Sequence, residues 1–132
     1  MDTESPMIHI GEVAARTELS LRSLRHWEEV GLIRPSGRTV GGFRLYTEED
    51  VEKILLIRRM KPLGFTLEEM RAVMDDIEVL RAPAPDDATA TGARRRLNGI
   101  RADVLERRKR LVRQLAMADE FIGLLAGEVP GP

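Results

Sequence analysis

The sequence predicts a mainly α-helical protein in which several short helices and one hairpin precede a single long helix. Between residues 10 and 77, apolar residues recur at helical spacing in short segments separated by Gly and Pro. From 94 to 126 they recur at intervals of three and four, and that segment holds no proline. Aromatic residues make up only 4% of the chain and charged residues 33%, which favours a lean helical core.

Length and composition exclude several classes of protein. With 132 residues, the chain is expected to form one small domain and an appendage. It has no run of roughly 18 apolar residues and no apolar signal segment, so we expect no membrane association and a cytoplasmic location. The absence of cysteine excludes disulfides, thiolate metal sites and cysteine nucleophiles, and no metal or other cofactor is expected.

A helix is predicted to begin after Ser20. The Ser20 hydroxyl can accept a hydrogen bond from the first helical turn, and the next ten residues contain no Gly or Pro. Leu21, Leu24 and Trp27 recur at three-residue spacing, so they are expected on the inner face, with Trp27 packing in the core. The outer face is polar and cationic, and it consists of Arg22, Ser23, Arg25 and His26.

A second short helix precedes this one. The segment IGEVAART at 10–17 places Ile10, Val13 and Ala14 on one face, and only two residues separate it from Ser20. Two short helices with so tight a connection predict a helix-turn-helix, whose second helix we call the recognition helix.

A hairpin is predicted after the recognition helix. That helix can end at a glycine, and the chain then passes a proline and reaches a glycine pair at 41–42. The next four residues alternate, with Phe43 and Leu45 on one face and Arg44 and Tyr46 on the other. A hairpin in this place is a wing.

Two further helices follow the wing. Thr47 and the three acidic residues after it predict a capped helix start, and Pro62 and Gly64 end that helix. Thr66 caps the next helix, which runs to residue 80. Its apolar stripe is formed by Leu67, Met70, Val73, Met74 and Ile77. The elbow at 61–66 fits either a second wing-like corner or an ordinary turn between helices.

The remainder of the chain is predicted to be a linker and one long helix. Residues 81–93 contain two prolines and many small residues, so we expect a linker after a domain at 8–80. A helix is predicted over 94–126, followed by a short tail at 127–132. About 32 helical residues would extend roughly 48 Å, too far for the domain to cover. The apolar seam consists of Leu97, Ile100, Val104, Leu111, Leu115, Ala118, Ile122 and Leu125.

Two interpretations of this seam remain open. The long helix either folds back over its own domain or pairs with a second copy of the chain in a coiled coil, which we favour because the seam would otherwise stay exposed. Spacing alone does not fix the orientation of such a pair. The basic runs at 94–96 and 107–110 fit the solvated flanks of a coil better than DNA contacts.

In combination, these segments resemble the MerR-type transcriptional regulators. The resemblance covers about residues 8–74 and rests on the ordered set IGEVA, LSLRSLRHWEEVGLI, GGFRLYTEEDV and KPLGFTLEEM. It implies a winged helix-turn-helix, an antiparallel coiled coil between two copies, and phosphate contacts by Arg44 and Lys61. Two positions depart from the family pattern, since Glu18 replaces a frequent glycine and His26 with Trp27 replaces two aromatic residues, commonly tyrosines.

The DNA-binding residues are predicted from their places in this motif. Arg22 and Ser23 lie near the start of the recognition helix, where side chains meet base edges in the major groove. Arg25 and His26 lie one turn later and are expected to meet phosphates. The full predicted set is Ser20, Arg22, Ser23, Arg25, His26, Arg38, Arg44 and Lys61.

Local charge supports this prediction although the net charge is −1. Residues 16–61 contain ten Lys and Arg against seven Asp and Glu, a local charge of +3. Most of the acidic residues are at the ends of helices and are expected to lie away from the cationic edge.

The expected function is a homodimeric regulator of transcription that binds a two-fold symmetric site in promoter DNA. The resemblance implies that it bends and untwists the spacer, and so acts on RNA polymerase through the promoter. The effector stays open: a small ligand, a protein partner or none. The alternative is a coiled-coil protein-interaction module with vestigial DNA binding. No enzymatic activity is expected, because His9 and His26 have no nucleophile and base arrangement around them.

Overall fold

The computed structural model describes residues 7–128 of the chain. Its elements, in order, are β1 (Ile8–His9), α1 (Ile10–Thr17), α2 (Leu21–Glu29), β2 (Gly37–Arg38), β3 (Arg44–Tyr46), α3 (Glu48–Met60), a 3-10 turn (Lys61–Leu63), α4 (Leu67–Arg81) and α5 (Asp87–Glu128). The prediction of a mainly helical fold with one long C-terminal helix is confirmed.

The turn between α1 and α2 forms without glycine. Glu18 ends α1 in the left-handed region at φ 57°, and its backbone N–H donates to the carbonyl of Ala14. The Glu18 carboxylate also pairs with Arg58 of α3 at 3.0 Å. Ser20 then caps α2 by accepting from the Ser23 N–H at 3.0 Å, as its hydroxyl predicted.

The wing is part of a three-stranded antiparallel sheet. The strand order is β1-β3-β2, with Ile8 opposite Tyr46 and Gly37 opposite Leu45. The hairpin turns at Gly42, which adopts φ 85° and donates its N–H to the carbonyl of Thr39 at 2.9 Å. The predicted hairpin is therefore present, and the short strand β1, which pairs with β3, was not predicted.

The helices of the first unit pack around one apolar core. Leu24 and Trp27 of α2 are buried as expected, but Leu21 is 38% exposed, so its predicted place on the inner face is wrong. Residues three apart on a helix are displaced by about 60° around its axis, so three of them cannot all face one narrow contact. The other buried apolar residues are Ile8, Val13, Leu32, Ile33, Tyr46, Val51, Ile54, Ile57, Met60, Phe65, Met70, Val73 and Met74.

Two reciprocal caps start α3 and α4. Thr47 and Asp50 exchange side-chain and backbone hydrogen bonds at the start of α3, and Thr66 and Glu69 do the same at α4. Between them, α3 continues directly into the 3-10 turn, which ends at Gly64 with φ 89°. The two caps and the break around Pro62 and Gly64 follow the sequence prediction.

The predicted linker at 81–93 is too long. Arg81 is the last residue of α4, and α5 begins at Asp87, so the segment between the helices is only residues 82–86. The Asp86 carboxylate accepts from the Thr89 N–H and hydroxyl, both at 3.1 Å, which caps α5 well before residue 94. Pro83 and Pro85 confine the break to those five residues, and Ala88, Ala90 and Ala93 favour helix after the Asp86 cap in spite of the threonines and the glycine between them.

The chain forms two compact units, with the division inside α4 between Asp75 and Asp76. The predicted boundary after residue 80 lies at the end of α4, which continues from Leu67 to Arg81. In the second unit, Arg96 of α5 donates three hydrogen bonds of 2.8–3.1 Å to the Asp76 carboxylate. Of the predicted tail at 127–132, the first two residues belong to α5 and 129–132 lie outside the described residues.

Candidate nucleic-acid interface

The outer face of α2 is exposed and cationic. Arg22, Arg25 and His26 are all exposed, and Ser23 is half-buried beside them. Neither Arg22 nor Arg25 forms an ion pair with another residue in the described range 7–128. Both guanidinium groups are therefore available to an external partner, and five N–H donors on each suit bases or phosphates.

Ser20 and Ser23 form the first turn of this face. Besides accepting from the Ser23 N–H, the Ser20 hydroxyl donates to the Ser23 hydroxyl at 3.0 Å. The structure therefore gives Ser20 a capping role, while the Ser23 hydroxyl can still donate to a ligand.

Lys61, at the elbow, is held next to the recognition helix. Its ammonium nitrogen lies 5.5 Å from the centre of the Trp27 ring, within the range of a cation–π interaction. Trp27 is only 3% exposed, which agrees with its predicted place in the core. The buried Trp27 ring of α2 thus contacts the elbow through Lys61, whose side chain stays exposed to solvent.

The two wing arginines share one carboxylate. Arg44 donates from its Nε to Glu28 of α2, and Arg38 donates from one Nη to the same carboxylate at 3.3 Å. The other Nη of Arg38 donates to the Gly42 carbonyl at 3.1 Å. The hydrogen bond to Glu28 raises the pKa of Arg44 above its usual value, so Arg44 remains charged.

Most acidic residues at helix ends were expected to lie away from the cationic edge, and for Glu28 this expectation is wrong. Its side chain is only 17% exposed, and it binds two residues of the predicted DNA-binding set. A signal was present, because a carboxylate near the C-terminal end of a helix is unfavourable there unless a cation compensates it. The identity of that cation depends on the wing and could not be predicted from α2 alone.

The wing also exposes two apolar side chains that were not predicted to be exposed. Val40 is fully exposed and Phe43 is 71% exposed, and both lie in or beside the turn of the hairpin. The alternation of residues correctly predicted that Phe43 and Tyr46 lie on opposite faces of the hairpin, and Tyr46 is the one that is buried. The alternation could not show which face was the inner one.

Several other cations of residues 16–61, although not all, form ion pairs. Arg16 donates to both carboxylate oxygens of Glu48, at 2.8 and 2.6 Å, and this hydrogen bonding lowers the pKa of Glu48. Like the Glu18 pair with Arg58, this pair connects α1 to α3. Within the described range, the exposed arginines of this stretch that have no ion pair are Arg22, Arg25, Arg34 and Arg59.

The seam of α5 lies open in the single chain. Leu97, Ile100 and Val104 are half-buried, whereas Leu111, Leu115, Ile122 and Leu125 are 47%, 62%, 63% and 43% exposed. Ala118 is exposed as well.

No helix in the described part of the chain has the length and apolar character needed to cross a membrane. Residues 7–128 hold no group of three or more His, Asp and Glu placed to bind a metal ion.

The arrangement of α1, α2, the wing and the elbow defines a winged helix-turn-helix protein. The chain belongs to the MerR family of helix-turn-helix regulatory proteins, whose family model matches residues 8–77. The nodulation protein NolA of Bradyrhizobium sp. strain NC92 is 44% identical over 66 residues, 50% of this chain and 28% of NolA. The transcriptional regulator ZntR of Escherichia coli K12 is 40% identical over 68 residues, 52% of this chain and 48% of ZntR.

One solved structure extends the likeness to α5. HiNmlR, a MerR family regulator lacking the sensor domain and bound to promoter DNA, matches with a TM-score of 0.62. The match covers 94% of this chain and 95% of that chain at 18% identity, so it supports the fold. The curated relatives are matched over about half of their length or less.

Proposed function

We propose that this chain is a sequence-specific DNA-binding regulator of transcription. The observation that supports this best is the outer face of α2, where Arg22 and Arg25 are exposed and without ion pairs in the described range. In this proposal, Arg22 and Ser23 contact base edges in the major groove. Arg25, His26, Arg38, Arg44 and Lys61 contact phosphates. Ser20 positions the first turn of the helix.

The proposed active form is a homodimer. An apolar seam that is 43–63% exposed at its leucines and isoleucine beyond residue 110 would be costly in water, and a second α5 would cover it. We propose an antiparallel pair, which would present two recognition helices to successive major grooves of a palindromic site.

The proposed mechanism acts through the promoter and not through catalysis. Binding bends and untwists the spacer between promoter elements, so that RNA polymerase engages both, at a bending cost of roughly 1–6 kcal/mol. In this account the protein is nucleoid-associated in the cytoplasm.

Selection from a library of random DNA duplexes tests this proposal. We expect enrichment of an inverted repeat whose half-sites are about one helical turn apart, or a multiple of it. On the enriched duplex, Arg22→Ala should relax base preference at one position of each half-site, by about 1–3 kcal/mol of discrimination. Lys61→Ala should weaken all sequences alike. Failure to enrich any sequence would instead favour the protein-interaction module, and equal effects of the two substitutions would contradict the division of roles.

A further inference from the structure

Glu28 lies at the point where the recognition helix meets the wing. It sits in the last turn of α2, and its side chain is 17% exposed. Its two carboxylate oxygens each accept from a different wing residue, Oε1 from Arg44 and Oε2 from Arg38. One acidic side chain thus links two strands of the sheet, β2 and β3, to α2.

The donor that Arg44 uses leaves most of its guanidinium available. A guanidinium has five N–H donors, of which Nε supplies one. Because Arg44 is anchored to Glu28 through Nε, its two Nη groups remain for an outside acceptor. The Arg44 side chain is 32% exposed and that of Arg38 is 49% exposed, so both can be reached from solvent.

This geometry also restricts the two side chains before any ligand arrives. A free arginine side chain loses conformational freedom when it binds, at a cost of about 0.5–1.5 kcal/mol for each side chain. Arg38 is held at both Nη atoms, by Glu28 and by the Gly42 carbonyl, and Arg44 at Nε. The two side chains are therefore already partly ordered in the free protein, so they lose less conformational entropy on binding DNA.

We propose that Glu28 is a positioning residue for DNA binding, which holds Arg38 and Arg44 in the orientation they use on phosphate. The inference rests on the proposed DNA-binding function and assigns Glu28 no contact with DNA. From charge alone, an acidic residue near DNA phosphates is expected to weaken binding. The proposal predicts that Glu28 strengthens it.

The test compares Glu28→Gln with Glu29→Gln. Both remove one negative charge at adjacent positions of α2, but Glu29 is exposed and has no ion pair or hydrogen bond from its side chain to the described residues. Affinity for the enriched duplex is measured by fluorescence anisotropy over a range of salt concentrations. We expect Glu28→Gln to weaken binding roughly tenfold. Glu29→Gln should leave binding unchanged or slightly tighter.

The salt dependence separates positioning from a lost contact. If Arg38 and Arg44 still reach their phosphates but must be ordered first, Glu28→Gln lowers affinity by a similar factor at every salt concentration. The slope of log affinity against log salt then stays that of the wild type, whereas each lost phosphate contact would reduce it by about 0.9. Tighter binding by Glu28→Gln, or equal effects of the two substitutions, overturns the proposal.

A second comparison distinguishes positioning from a general effect on folding. In an Arg38→Ala/Arg44→Ala background, Glu28→Gln should cause no further loss of affinity, because the residues it positions are gone. A tenfold loss in that background too would show a merely structural role and overturn the inference. Should Glu28→Gln not melt cooperatively, Arg44→Lys replaces it. Lysine cannot be anchored at Nε while offering two Nη groups, so affinity must fall, and unchanged affinity overturns the inference.

The wild-type protein provides the control for the proposed function itself. Failure of the wild type to bind any duplex contradicts DNA binding, and the Glu28 proposal falls with it. If the wild type binds DNA and the Glu28→Gln and Glu29→Gln variants bind it with equal affinity, only the positioning role is contradicted.

Discussion

Tyr46 is a buried residue whose hydroxyl has no hydrogen-bond partner among the described residues. The side chain is fully buried, and it belongs to the core beneath the wing. Burial raises the pKa of Tyr46 above its usual value of 10.0, because the ionised form is poorly solvated there. The hydroxyl group therefore costs stability, while the ring contributes to packing.

Replacing Tyr46 with phenylalanine should stabilise the protein or leave it unchanged. At neutral pH we expect the free energy of unfolding to rise by up to about 1 kcal/mol, since the ring is kept and an unsatisfied group is removed. Because the pKa of the folded state is raised, wild-type stability should fall as pH rises above 10.0 through the range of that pKa. The Tyr46→Phe variant should lack this part of the loss.

Urea unfolding at neutral pH and above pH 10 measures both effects. Tyr46 is the only tyrosine in the chain, so its ionisation can also be followed directly by absorbance. A loss of more than about 1 kcal/mol at neutral pH would show that the hydroxyl has a partner after all.

At the scale of residues, the sequence predicted the roles of side chains whose contacts lie within their own helix or strand. Ser20 as a cap and Trp27 as a core residue follow from local spacing and hydrogen-bonding capacity. Glu28 could not be assigned in the same way, because its partners lie 10 and 16 residues further along the chain. Such a pair depends on how the wing packs against α2, and residue spacing carries no information on that.

At the scale of elements, helix ends were predicted well where caps or breakers are dense. The boundaries of α3 follow from Thr47 and from the break around Pro62 and Gly64. The start of α5 was placed seven residues too late because its first turns contain Thr, Ala and Gly instead of large apolar residues. Ala90 and Ala93 are nevertheless buried, so small residues there permit close packing.

The ion pair between Asp76 and Arg96 should stabilise the contact between α4 and α5. The side chain of Asp76 is 10% exposed and accepts all three hydrogen bonds, so losing its charge leaves the pairing weaker. The hydrogen bonds to the Asp76 carboxylate also raise the pKa of Arg96, which therefore stays charged. We expect Asp76→Asn to lower Tm by a few degrees.

Asp75→Asn is the matched control for this prediction. Asp75 is exposed and forms no ion pair with the described residues, so its substitution removes the same charge without a partner. Differential scanning calorimetry of both variants compares them. Equal values of Tm would contradict a stabilising role for the Asp76 pair.

At the scale of the whole molecule, the open question is what covers α5. Its 42 residues would extend about 63 Å, longer than the sequence predicted. Leu115 is on the proposed seam and Leu124 is nine residues later, two and a half turns away, on the opposite side of the helix. They are 62% and 70% exposed in the single chain, so they form a matched pair.

Leu115→Glu should separate the proposed dimer, and Leu124→Glu should not. A charge placed in the seam would be buried without a partner, whereas the same charge on the opposite side stays in water. Sedimentation equilibrium at micromolar concentration gives the mass of each variant. A wild type that is already a monomer, or two variants with the same mass, would contradict the proposed pairing.

Fold and family could be predicted from the sequence because the motifs of residues 8–77 are dense and local. The orientation of the proposed helix pair, the DNA sequence bound and the identity of any effector could not, because each depends on a second molecule. What the described chain does provide is a set of cations on α2, the wing and the elbow. The central claim is that these cations bind duplex DNA.

The salt dependence of affinity tests this claim most directly. With Arg25, Arg38, Arg44 and Lys61 on phosphate in each of two protomers, log affinity for the enriched duplex should fall linearly with log salt, with a slope of roughly −7. A flat response, or no binding to any duplex at low salt, would contradict the account.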